Sequence, residues 1–480
     1  MRQLRRVLTG LGVALLIAGC TTMIDSRPVS VYADPFSVGG LPALDGPSGL
    51  RSEAERPLVQ ATGSDGGPVD MIARQAISDI ETFWAGAYQQ TFTGTFEQVG
   101  QLFSWDAREP RPTRFCMHPT FRFANAVYCL LDNTVGWDRG IMMPVLRGAY
   151  GDMAITMVLA HEYGHAISRM AKLTTLDTPV LVREQQADCL AGVYLRWVAE
   201  DDSPRFRLST GNGLNDLLAV LVGIRDPLLI EGDPVDDEHG SAFERISAFQ
   251  FGFTEGARSC GLIDTDQIES RRHGLPVALQ ADDTGEWPVT AESVATIVDE
   301  LTARLSPAEP PALSFDTDRP CADARPSPPA SYCPERNEIV VDLPELTELG
   351  TPPEPDEMSF ESALSLAGDN TAYSVLMSRY MLAVQHQRGD LALDTAQAGL
   401  RTACMTGSAT AMLAEPVTSA DGVTITLSAG DLDEAVTGLL TNGVAASDVN
   451  GDTVPAGFAR IDAFRTGVYG DIDRCIQRYP

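Results

Sequence analysis

Of the six histidines in this 480-residue chain, two flank a glutamate in the stretch His161-Glu162-Tyr163-Gly164-His165. Residues four apart on a helix share one face, so both imidazoles can address one metal ion with Glu162 beside them. That set suits zinc chemistry, in which two neutral imidazoles bind Zn²⁺ and the adjacent carboxylate acts on a water. Catalysis needs a third protein ligand and an open fourth position. Further along, Glu184 and Asp188 are also four apart, in Arg-Glu-Gln-Gln-Ala-Asp-Cys. Glu184 is the expected third ligand. Asp188, one turn on, is placed to accept a hydrogen bond from the far nitrogen of a ligand histidine and so set its tautomer and orientation. His239 is the expected donor to the oxyanion that develops during hydrolysis. Arg245 reads as structural, because Arg460 repeats it in a part of the chain that lacks the motif.

Positioning these groups requires two helices. Residues 151–172 read as one buried helix carrying the His-Glu-x-x-His motif, and the stretch at 176–192 contains a second helix carrying the two acids. Ahead of them, residues 71–92 place Ile72, Ile77, Ile80 and Phe83–Trp84 at helical spacing and open a first module. Residues 291–305 open a second.

The second module follows from internal repetition. Arg-Ile-x-Ala-Phe-x-x-Gly occurs at 245 and again at 460, each time with a cysteine fifteen positions after the arginine (Cys260 and Cys475). Asn-Ala-Val-Tyr-Cys at 125–129 is echoed by Ala-Ser-Tyr-Cys at 330–333, and Ala-Asp-Cys-Leu-Ala-Gly at 187–192 by Thr-Ala-Cys-Met-Thr-Gly at 402–407. Matching order over most of a domain length indicates a tandem duplication rather than a solenoid. Counting from shared landmarks sets His161 opposite Ser378, Glu162 opposite Arg379, His165 opposite Leu382, Glu184 opposite Gly399, Asp188 opposite Ala403 and His239 opposite Val454. The second copy is therefore expected to be degenerate and without metal.

Composition fixes the compartment. Arg2, Arg5 and Arg6 precede an apolar run that ends Ile17-Ala18-Gly19-Cys20, too short for a membrane span. Residues 1–19 resemble a lipoprotein signal peptide, with Cys20 as the lipidated residue that anchors an exported chain to the membrane. Residues 20–70, rich in Gly, Pro, Ser and Asp, are expected as a flexible tether. The module carrying the His-Glu-x-x-His motif is then expected to span 71–285 and its degenerate repeat 286–480, with a Pro/Glu-rich loop at 345–356. The eight remaining cysteines suit disulfides in an oxidising compartment. Equal spacings pair Cys116 with Cys129, Cys189 with Cys260, Cys321 with Cys333 and Cys404 with Cys475. A formal charge of −31 with no basic patch argues against a nucleic-acid partner.

Taken together, CMHPTFRFANAVYC, GDMAITMVLAHEYGHA, REQQADCLAG and HGSAFERISAFQFG, within roughly 71–260, resemble the bacterial neutral zinc metallopeptidases, a gluzincin-like family. The resemblance implies an α+β zincin-like fold with Glu162 as general base and Glu184 as third zinc ligand. It also implies a peptide or protein substrate. The second half departs from the family pattern. The expected function is zinc-dependent peptide hydrolysis in the cell envelope. The alternative from another class is a non-catalytic envelope lipoprotein that keeps zinc as a structural element and serves as a binding or scaffold protein; an intact Glu162 argues against it, because a structural site needs no base.

Overall fold

The computed structural model describes residues 33–111, 113–231, 239–272, 274–279, 285–319, 321–352, 367–418 and 424–480. The signal segment, Cys20 and residues 353–356 of the expected loop at 345–356 lie outside them. The expected loop is corrected at its start: residues 345–349 belong to a helix, Leu343–Leu349, capped by the Asp342 side chain, and only 350–352 are irregular among the described part. The fold is α+β. Among the described residues no helix is long and apolar enough to cross a membrane.

Pro68–Thr91 forms the first long helix; proline in its first turn costs no hydrogen bond there. A three-stranded sheet follows, in which Gln101–Trp105 runs parallel to the central strand Thr134–Asp138 and Ala126–Cys129 pairs antiparallel on its other side. Ala126–Cys129 is thus a sheet edge. The motif helix Asp152–Met170 and the acid helix Val180–Ala199 come next, then Asn212–Gly223 and Ala242–Glu255, the last opened by a Ser241/Glu244 capping box.

The second half runs through the same kinds of element. Ala312–Ser314 lies parallel to the central strand Glu338–Val341, with Ala330–Cys333 antiparallel on the other side. In both sheets a tyrosine hydroxyl of the edge strand donates to an asparagine held at positive φ in the following turn, Tyr128 to Asn133 at 2.8 Å and Tyr332 to Asn337 at 2.9 Å. Helices Asp369–Gln387, Ala396–Met412, Asp431–Thr441 and Gly457–Val468 follow. All four expected disulfides are present. Each of the two that close 71-residue loops can contribute about 4 kcal/mol through the unfolded chain.

The repeated phrases mark one kind of contact. A Cβ on Gly192 would stand 2.2 Å from the carbonyl oxygen of Phe249, and one on Gly252 only 1.8 Å from that of Cys189. In the second half the corresponding separations are 2.1 Å for Gly407 to Phe464 and 1.7 Å for Gly467 to Cys404. Each helix pair therefore touches backbone to backbone, which only glycine permits. The two halves also exchange caps. Asp433 accepts from the amides of Ala242 and Phe243 at 3.0 and 2.8 Å, and Asn215 accepts from the amide of Gly457 at 3.1 Å. One apolar core runs through both halves.

The expected flexible tether is corrected from residue 33 onwards. Gly49–Leu50 pairs antiparallel with Phe206–Arg207, Gly211 donates to the carbonyl of Leu44, and Arg51 reaches Asp201 and the carbonyls of Ser203 and Phe206. Long-range pairing overrides a composition that locally favours turns.

Two substitutions test the glycine contacts. Gly252→Ala and Gly467→Ala should each cost on the order of 3 kcal/mol, because the backbone must shift. Gly86→Ala, in an exposed helical position with nothing within 4 Å of the added carbon, should gain about 0.5–1 kcal/mol. Thermal unfolding of the oxidised chain separates the two outcomes; equal melting temperatures for all three would refute the close-contact account.

Candidate metal centre

The motif helix is buried on nearly every side, and its chemistry faces the acid helix. Gly164 allows the approach: a Cβ there would lie 2.8 Å from the carbonyl oxygen of Ala187. As a result the Glu184 carboxylate spans both imidazoles, with Oε2 3.1 Å from His161 Nε2 and Oε1 3.4 Å from His165 Nε2. A tetrahedral ion with ligand bonds of about 2.0–2.1 Å has neighbouring ligand atoms about 3.3 Å apart. The observed separations fit that spacing, and one donor atom from each of the three residues falls within 4.8 Å of the others. His161, His165 and Glu184 form a group that can hold a metal ion.

Asp188 does what its spacing predicts. Its Oδ1 lies 2.7 Å from Nδ1 of His161, leaving Nε2 to face Glu184. Arg245 grips the same carboxylate with two bonds, Nε to Oδ2 at 3.0 Å and Nη2 to Oδ1 at 2.9 Å, and donates Nη1 to the carbonyl of Ile224 at 2.9 Å. The structural role read for Arg245 is thus a specific one, since it neutralises and orients the acid behind a metal-site histidine. Its counterpart Arg460 spends its donors on the carbonyls of Val454 and Leu440 instead.

The electrostatics favour a cation. Burial alone would lower the His161 imidazolium, but Asp188 and Glu184 push it up to about 10. Burial would raise Glu184, yet His165 and His161 hold it well below the usual carboxylate range. A metal ion competes with the proton for this negative field, so its uptake releases protons. Burial raises Glu162 against the pull of His161 and His165, as suits a base. Its Oε2 accepts the backbone amide of Tyr128 on the edge strand at 2.7 Å.

These groups line a cleft of about 440 Å³ that also takes in His239, Asp226 and Arg183. Asp226 was not visible to sequence reasoning. Its Oδ1 lies 3.1 Å from His239 Nδ1, and its Oδ2 accepts the amides of His239 at 2.5 Å and Gly240 at 2.8 Å. That hydrogen bond, opposed by burial, raises the imidazole above its ordinary value. Nothing local announces the pairing, because the twelve intervening residues carry several other acids.

At the counted positions of the second half the surroundings differ. Ser378 bonds back to the carbonyl of Val375 within its own helix, and Leu382, Ala403 and Val454 are buried. Arg379, fully buried, donates to Ser447 Oγ at 3.0 Å and the carbonyl of Val444 at 3.2 Å. A Cβ on Gly399 would come within 2.9 Å of the carbonyl oxygen of Ala446. Residues 444–454 thus pack against the counted positions of this half. Elsewhere in that half, Glu286, Asp369 and Glu434 draw together. No imidazole joins them. Burial, then Asp431, pushes Asp369 up to about 8 and Glu434 up to about 10, and the two accept the amides of Trp287 and Asn370. Protonated acids capping a helix account for these contacts.

No family model, curated protein or solved structure matches the chain.

Metal analysis of the purified chain should find one divalent ion, absent from His161→Ala and His165→Ala. Asp188→Asn should weaken metal binding about 10–100-fold in chelator competition. Unchanged affinity in Asp188→Asn would remove the proposed role of this acid.

Proposed function

We propose that this chain is a zinc-dependent metallopeptidase of the gluzincin-like neutral family, exported and anchored to the cell envelope through Cys20. The observation that carries this reading is the Glu184 carboxylate bridging His161 and His165 beside Glu162 in an open cleft. A structural zinc site is closed by four protein ligands; three donors facing a cleft favour catalysis over the scaffold alternative. Four disulfides accord with an extracytoplasmic location.

When bound, zinc supplies Lewis acidity to a substrate carbonyl and to a water. The chain supplies the rest. Glu162 takes the proton of the attacking water and passes it to the departing amine. His239, kept protonated and oriented by Asp226, donates to the oxygen that gains negative charge. Asp188, backed by Arg245, holds His161 in the tautomer that leaves Nε2 free. The second half is best read as a degenerate duplicate of the catalytic module: it keeps the sheet order, the long disulfide and the glycine contacts but none of the site residues. Its contribution is support through Asp433 at the start of the helix that carries Arg245.

Glu162→Gln should keep one zinc per chain and lose at least about 100-fold in peptide hydrolysis, followed by mass spectrometry on a peptide library. Retained cleavage by that variant would end the mechanism. The pH profile gives a second test. A raised imidazole stays protonated below its folded pKa and loses its proton as pH rises through it. The alkaline limb of kcat should therefore lie above pH ~6.5 and move down towards it in Asp226→Asn. A limb that does not move in Asp226→Asn excludes His239 as its origin.

A further inference from the structure

Three arginines line the cleft: Arg183, Arg225 and Arg245. Arg245 is locked to Asp188, and Arg225 stands 3.9 Å from Asp433. The Arg183 side chain, half-buried on the acid helix, makes no hydrogen bond or ion pair with any described residue, and its Nε is buried without a partner. Acids outnumber basic residues 66 to 35 in this chain, so a cleft arginine that pairs with none of the described ones needs a reason. Leaving such a donor unpaired costs free energy unless something outside the chain pairs it.

The placement suggests what that is. Val180, Arg183 and Glu184 stand at i, i+3 and i+4 of the helix, so they share a face, and all three line the cleft. Arg183 therefore sits one residue from the carboxylate of the metal group. The acid helix also opens with no acid in its first turn and no side-chain cap, which leaves the partial positive charge of its amino end uncompensated. The described acids of the cleft are otherwise engaged: Glu162 is held by the Tyr128 amide, Glu184 by two imidazoles and Asp226 by His239 and Gly240.

We propose that Arg183 selects the substrate by pairing with a carboxylate close to the scissile bond. Guanidinium and carboxylate match as a two-bond pair, which lysine cannot reproduce. The carboxylate belongs either to a Glu or Asp side chain flanking the cleaved bond or to a free C-terminus. The inference rests on the peptidase reading above and names its substrate class.

The test uses the zinc-loaded full chain and matched fluorogenic peptides that differ only in Glu against Gln at each position flanking the cleaved bond, or in a C-terminal carboxylate against an amide. Wild type should prefer one carboxylate peptide by roughly 10-fold or more in kcat/KM, mostly through KM. The preferred pair identifies the source of the carboxylate. Arg183→Gln should bring the ratio close to one with zinc content kept, and Arg183→Lys should restore it only in part. Binding of the same peptides to Glu162→Gln protein, read by fluorescence anisotropy, should reproduce the preference and lose it in the Glu162→Gln/Arg183→Gln double variant. No carboxylate preference in wild type, or the same preference in Arg183→Gln, overturns the proposal. Carboxylate-dependent binding through Arg183 without any hydrolysis would instead overturn the peptidase reading and leave this one standing. If Arg183→Gln does not fold, the wild-type preference and Arg183→Lys decide.

Discussion

The carboxylate of Asp188 is the point on which the rest of the site hangs. It is fully buried, and a buried charge without partners costs several kcal/mol. Two cationic partners meet it, His161 from the motif helix and Arg245 from the helix Ala242–Glu255. Arg245 reaches that far because Gly192 and Gly252 let two helix backbones touch. The next residue, Cys189, ties the acid helix to Cys260 just beyond that contact. Backbone packing, a disulfide and a buried ion pair therefore converge on one imidazole, and their common effect is to aim His161 Nε2 at the place where Glu184 and His165 also point.

The second half keeps the means of holding two helices together without the chemistry they hold. Gly407 and Gly467 touch their partner backbones, Cys404 joins Cys475, and Arg460 is retained, but with Ala403 in place of an acid it binds carbonyl groups. Arg379 fills with its own side chain the position that Glu162 occupies beside the cleft, and burial lowers it to about 10. Residues 444–454 pack against the helices there, at Arg379 and Gly399. What this half supplies to its neighbour is mechanical. Asp433, inside the interface, terminates the free amides of the helix that carries Arg245. Read as a duplicated module, it has traded a metal group for a supporting one.

Much of this was legible in residue order. The motif and the Glu184/Asp188 pair were readable because a helix converts a separation of four into a shared face. The disulfides were readable because the same spacings occur twice along the chain. The repeated Arg-Ile-x-Ala-Phe-x-x-Gly phrase pointed to a repeat but not to its reason, which is a backbone contact visible only when Cys189 and Gly252 are seen together. Residues 33–67 were misread because their Gly, Pro and Ser content says nothing about partners such as Phe206 that lie far along the chain.

Residue order was thus enough to name the three residues that draw together, the helices that carry them and the covalent cross-links, all of which follow from spacing along one chain. Folding alone settles which acid holds His239, what Arg245 grips, which cleft arginine lacks a partner among the described residues, and that residues 444–454 pack against the counted positions of the second half. Those outcomes depend on contacts between segments tens to hundreds of residues apart, for which local periodicity carries no information. Whether a buried arginine finds a carboxylate, as Arg245 does, or a carbonyl, as Arg460 does, is settled by what the opposite helix brings to it.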